Sequence, residues 1–240
     1  MTLKQIFWST VLLTVASAGA LAYAQVALPS QVLLSDYALV SGGLLPVLVG
    51  MLALAGACLS LAYGLAASDP ARTAATRVLL LAGAAGLMMS AIFPTDPGTS
   101  QVGSLSGEIH RWSAAVVFTS LPVAGWTLAR GRGGAPRWNA VRAMAMASGV
   151  SLAVYLAAHP ASFTSPLIGG AAYYGLLERA VVLAEMGLLV AMALAVATGR
   201  PAVRTAHDPA STDTGPITGS LTGPPPGHPE RPGEQERLAA

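Results

Sequence analysis

Few residues of this chain could do chemistry, and most of them gather at three interruptions of otherwise apolar sequence. Asp96, Glu108, His110 and Arg111 lie close together. His159 precedes Pro160, and Glu178, Arg179 and Glu185 follow near the start of the last apolar run. Asp36 stands alone after the first run. Spacing sorts these side chains by face. Glu178 and Glu185 are seven apart and share one side of a helix, with Tyr174 four residues earlier on the same side. Tyr155 and His159 are also four apart. Glu108 and His110 are two apart, about 200° around a helix, so both cannot point inward. Glu108 and Arg111 have the spacing of a local ion pair.

Three kinds of chemistry suit such a set. A buried carboxyl group kept protonated by apolar surroundings can act as an acid, and Asp96, Glu178 and Glu185 are the candidates. Histidines with carboxylates can hold a metal, for which His110 and His159 are weak candidates. A cluster of mixed charge can also bind without reacting, and its members would be Asp96, His110, His159, Glu178 and Arg179. Each residue has a plainer role as well. Asp96 in Pro94-Thr95-Asp96-Pro97 can hold a loop through backbone N–H groups. A carboxylate at Glu178 suits a helix N-terminus. The histidines can be hydrogen-bonded parts of the scaffold. Glu185 is hardest to dismiss, because it lies two turns beyond Glu178, about 10 Å deeper, and needs a partner, a proton or water there.

The elements that position these residues are membrane spans. Of 240 residues, 53% are hydrophobic and 10% charged, against about 25% charged in a soluble domain, which argues against an ordinary soluble enzyme. Spanning the hydrocarbon core takes about 20 apolar residues. Six segments qualify, at 6–28, 43–66, 76–93, 110–129, 139–158 and 176–198, separated by Pro and Gly clusters that stop helices. The expected fold is an all-α polytopic bundle over 1–198. Ala, Gly and Ser recur in every span and permit close helix packing in lipid.

Lys4, Arg72, Arg77, Arg130, Arg132, Arg137, Arg142, Arg200 and Arg204 fall in one set of loops, against Arg111 and Arg179 in the other. By the positive-inside rule both termini are cytoplasmic, and the loops 29–42, 94–109 and 159–175 face outward from the cell membrane. A rival reading takes Lys4, the first apolar stretch and Ala22-Tyr23-Ala24 as a cleaved signal peptide, which leaves the sidedness of every later loop unchanged. Residues 199–240 carry Pro224-Pro225-Pro226 and no apolar period, so they read as a disordered cytoplasmic tail. The net charge of +2 and the lack of a continuous basic face give no nucleic-acid signal. Cys58, the single cysteine, cannot form an internal disulfide and reads as buried and inert.

Phe93-Pro94-Thr95-Asp96 closing the third span, Gly107-x-x-His110 opening the fourth and Gly175-Leu176-x-Glu178-Arg179 opening the sixth form an ordered set. It resembles the domain-of-unknown-function 998 family, bacterial and archaeal membrane proteins of about six helices. The resemblance covers about residues 5–198. It implies an integral membrane bundle and little about chemistry, and the family's recurrent polar positions map onto Asp96, His110, Glu178 and Arg179.

Two functional classes follow. In the first, an extracytoplasmic polar pocket binds a lipid, a lipophilic small molecule or a partner protein, with no cofactor. In the second, the protein is an intramembrane enzyme. Glu185 or Asp96 would start cyclisation of a terpenoid chain, with Trp112, Trp126, Tyr155, Tyr173 and Tyr174 steadying the carbocation. Alternatively His110, His159, Asp96 and Glu178 would hold zinc for lipid hydrolysis. A third class, transport or electron transfer, is weakened. There is no internal repeat or broken mid-membrane helix, and no second histidine pair for a two-haem path.

Overall fold

A computed structural model of the protein describes residues 2–97, 103–158 and 171–198. The helices are α1 (Leu3–Ala27), α2 (Leu44–Ser68), α3 (Ala74–Ile92), α4 (Leu105–Ala129), α5 (Pro136–Ala157) and α6 (Ala171–Ala197), with one 3₁₀ turn at Ser35–Leu39. All six are long and apolar enough to cross a membrane. The protein is therefore a multi-pass helical membrane protein. His159, and the tail expected over 199–240, lie outside the described residues.

Each helix follows its sequence pattern with small shifts at the ends. Thr2 begins α1 as half of a capping box with Gln5, satisfying two backbone N–H groups reciprocally. Pro136 opens α5, where its missing N–H costs nothing. Helix α3 runs unbroken through Gly83 and Gly86. The largest shifts are at two starts, each five residues earlier than the apolar pattern predicts, α4 at Leu105 rather than 110 and α6 at Ala171 rather than 176. The apolar window marks the hydrocarbon layer, and these helices continue past it through polar residues.

Consecutive helices pack side by side, and α1 closes the bundle against α6. Helix α6 is the most central, since it touches α1, α2, α4 and α5. Between α3 and α4 the approach is close enough to demand glycine. A Cβ on Gly86 would stand 2.7 Å from the Ser113 carbonyl oxygen. Hydroxyls join neighbouring helices. Ser9 and Ser60 link α1 to α2 at 2.6 Å, Ser17 donates to the Gly50 carbonyl at 2.7 Å, and Thr76 meets Thr127 at 3.0 Å between α3 and α4. In lipid such bonds supplement packing, because burial of apolar surface no longer drives helices together. Cys58 is buried within the apolar core.

The two ends of the bundle differ in charge. At one end Arg132 lies 4.0 Å from Asp69 and stacks on Trp138 at 4.2 Å, and Arg72 donates to the Gly131 carbonyl at 2.8 Å. Arg142 donates to the Ala129 and Arg132 carbonyls beside them. The opposite end, where α1, α3 and α5 finish and α2, α4 and α6 begin, carries Asp36, Asp96, Glu108, His110, Arg111, Glu178 and Arg179.

Candidate functional site

At that second end the structure contains a cavity of about 420 Å³. Asp96, His110, Glu178 and Glu185 all line it. Most of its wall is apolar, with Leu21, Met51, Leu54, Leu87 and Val182 among the contributors. Trp112, Phe118, Tyr155 and Tyr174 add aromatic rings. The exposed lining residues, Arg111, Trp112, Ala115, Thr119 and Leu156, all belong to α4 and α5. The part of the lining that reaches the protein surface, among the described residues, thus lies on these two helices.

Helix α6 forms the inner wall. Tyr174, Glu178 and Glu185 share one face of it, as their spacing predicts, and all three reach the cavity. Glu178 is buried, and its Oε2 accepts the Leu34 N–H at 2.7 Å. Glu185 is 1% exposed. It makes no hydrogen bond among the described residues, and its Oε1 is wholly enclosed without a donor. Opposite them, the Tyr155 ring stacks on Tyr174 with centroids 4.5 Å apart, and Phe118 meets Tyr155 edge-on at 6.3 Å. Trp126 and Tyr173, also expected as carbocation partners, are exposed and outside the lining.

Asp96 and His110 are held by backbone groups. Asp96 Oδ2 accepts the Gly103 and Ser104 N–H groups at 2.9 and 3.0 Å, and Oδ1 accepts the Ser104 hydroxyl at 2.7 Å. Ser104 in turn caps α4 by accepting the Gly107 N–H. The donors around Asp96, led by the Ser104 hydroxyl, hold its carboxyl below the ordinary value of 3.8. A Cβ at Gly107 would stand 2.1 Å from Asp96 Oδ2, so only glycine fits there. His110 Nδ1 lies 3.0 and 2.9 Å from the carbonyl oxygens of Ser90 and Phe93. Carbonyls only accept, so Nδ1 carries the hydrogen and caps the C-terminal carbonyls of α3. Glu108 is exposed while His110 is buried, as a helix already begun at Leu105 requires.

Arg179 is placed differently from its expected role as a counter-charge to Asp96 or Glu178. It does not line the cavity. Its Nη1 donates to the carbonyls of Val32 (2.8 Å) and Gly175 (2.7 Å), its Nη2 to Gln31 (3.0 Å), and its Nε to Gln25 Oε1 (3.3 Å). Among the described residues the only carboxylate–cation pair within 4.0 Å is Arg132–Asp69. Neither the Arg179 pairs nor the Glu108–Arg111 pair forms. Gly175 completes the clamp, since a Cβ there would stand 2.0 Å from the Val32 carbonyl oxygen.

One carboxyl at this end gained no role from the sequence. Asp36, in the 3₁₀ turn, is buried, with Oδ2 accepting the Leu33 N–H at 3.2 Å and Oδ1 unpartnered. Burial raises its pKa above 3.8, partly offset by that N–H.

The first two motifs meet in space, and the third holds a different segment. Pro94-Thr95-Asp96 grips the start of α4, His110 grips the end of α3, and Gly175-x-x-Glu178-Arg179 grips residues 31–34. A family model described as protein of unknown function (DUF998) matches residues 7–195. The chain belongs to the DUF998 family. No curated protein and no solved structure matches it. The family's description names no activity, so the chemistry of the cavity is argued from its residues.

Proposed function

We propose that this DUF998 protein holds a lipid or another lipophilic small molecule in the cavity between α4, α5 and α6. The occupant enters from the outer leaflet of the cell membrane. The observation that carries this reading is a ligand-sized cavity with apolar walls and an enclosed, unpartnered carboxyl group, Glu185. Sites for small molecules usually measure about 300–1,000 Å³ and combine apolar walls with a few polar groups. Placement on the outer side rests on the arginines at the other end of the bundle, with both termini cytoplasmic by the same rule. A partner protein seated over the exposed lining of α4 and α5 is the neighbouring possibility within this class.

The test is native mass spectrometry of the protein released from mild detergent. Wild type should retain a hydrophobic molecule, and Ala114→Phe, which fills the cavity from α4, should lose it. Identical bound species in both proteins would sink the reading.

The same acid gives a second reading. Glu185 shares the cavity with Trp112, Tyr155 and Tyr174, an arrangement suited to acid-initiated cyclisation of a terpenoid chain. Cyclic product formed by purified wild type and absent with Glu185→Gln would establish it. No comparable support exists for metal-assisted hydrolysis. Among the described residues no three His, Cys, Asp or Glu side chains are grouped to share an ion, and His110 Nδ1 is committed to carbonyls.

A further inference from the structure

We propose that the cavity selects a lipophilic cation, an amphiphile whose polar end is an alkylammonium group. The inference rests on the cavity being a binding site, as argued above, and adds the charge of its occupant.

Three features of the wall converge on that charge. The first is the sign of its ionisable groups. Asp96, Glu178 and Glu185 contribute three carboxyls, against the exposed guanidinium of Arg111 and the imidazole of His110, whose Nδ1 is turned to the Ser90 and Phe93 carbonyls. Arg179, the other cation at this end, is turned to the carbonyls of residues 31, 32 and 175. The second is aromatic. Trp112, Phe118, Tyr155 and Tyr174 surround the same space, and the faces of such rings attract ammonium groups, most strongly where water is excluded.

The third feature is Glu185 itself. Asp96 already has three donors and Glu178 has one, whereas Glu185 Oε1 is enclosed without any. A buried acceptor without a donor is costly, and such groups persist where they serve a ligand. An ammonium N–H supplies the missing donor and a compensating charge together. A neutral alcohol supplies only the donor, and a carboxylate amphiphile supplies neither donor nor compensating charge.

The experiment is isothermal titration of octylammonium, octanol and octanoate into wild type, Glu185→Gln and Ala114→Phe in a neutral detergent. The tails are identical, so differences report the head group. Wild type should bind octylammonium at least about tenfold more tightly than octanol, and octanoate least. Glu185→Gln should lose that preference, octylammonium binding falling to the level of octanol. Glu185→Leu gives the same reading should the amide variant fold poorly. Equal binding of all three amphiphiles by wild type, or a preference unchanged in both Glu185 variants, overturns the cation inference and leaves the cavity as a binding site. Heats no larger for wild type than for Ala114→Phe overturn the binding site itself, and this inference with it.

Discussion

Glu178 and Glu185 stand on one face of α6 and line the same cavity, yet only Glu178 has a hydrogen-bond donor. Their contributions to stability should therefore have opposite signs. Glu178→Ala leaves the buried Leu34 N–H without an acceptor, a loss of about 1–3 kcal/mol. Glu185→Met replaces an unpartnered carboxyl by an apolar side chain of similar length and removes a buried unsatisfied acceptor, whose cost is about 1–3 kcal/mol. Thermal unfolding in detergent should show a lower Tm for the first variant and an equal or higher one for the second. A lower Tm for Glu185→Met would mean that the carboxyl holds the fold rather than serving an occupant.

Arg179 should behave as a structural clamp on residues 31–34. Its guanidinium spreads over three backbone carbonyls and one side-chain amide, a planar fan that lysine cannot reproduce. Arg179→Ala should cost about 2–3 kcal/mol, and Arg179→Lys should recover little of it. Because Arg179 and Asp96 share no partner, their alanine variants should add within about 0.5 kcal/mol. A double variant no worse than the poorer single one would restore the direct pairing that the geometry does not show.

The six spans were legible because membrane crossing imposes a length and a composition, and the face shared by Tyr174, Glu178 and Glu185 followed from spacing alone. The partners of Arg179 were not legible in the same way. Backbone carbonyls at 31 and 32 leave no mark on the sequence, and a carboxylate beside an arginine invites an ion pair. One sign was nevertheless present. Adjacent helical residues point about 100° apart, so a Glu178 turned into the bundle carries Arg179 off that face. Asp36, visible as a lone carboxyl after the first span, gained no role because its burial depends on a short 3₁₀ turn, and no periodic pattern announces such a turn. The glycines at 107 and 175 were recognisable as motif residues. Their reason, a carboxylate or a carbonyl standing where a Cβ would be, appears only in three dimensions.

Sidedness follows from the arginines. Reporter fusions after Arg132 and after Ala240 should both report cytoplasm, since Arg72, Arg77, Arg130, Arg132, Arg137 and Arg142 all lie at one end of the bundle, in the loops or the adjoining helix turns. A fusion inserted between Pro97 and Gly103 should report the opposite side. An outward signal from the Arg132 site would invert the bundle and place the cavity in the inner leaflet.

The Asp96 clamp should set the acid limit of the α3–α4 loop. Its carboxyl is held below the ordinary value of 3.8 by the Ser104 hydroxyl and the N–H groups of Ser104 and Gly103. A carboxyl with a lowered folded pKa contributes stability above the unfolded value and loses it as pH falls through the folded one. Asp96→Asn cannot titrate, and its amide sets N–H donors against donors. Its Tm deficit relative to wild type should be full near neutral pH and should shrink as pH drops below 3.8. Asp36 should show the reverse sign. Burial raises its pKa, so its contribution is greatest below 3.8 and is lost as pH rises through the folded value. Asp36→Asn should therefore gain on wild type toward neutral pH. Gly107→Ala forces a methyl group against Asp96 Oδ2 and should cost about 1–3 kcal/mol. With the carboxylate removed, in Asp96→Ala, the same glycine change should cost much less, because the atom it strikes is gone. Equal costs in both backgrounds would show that Gly107 is required for some reason other than its contact with Asp96.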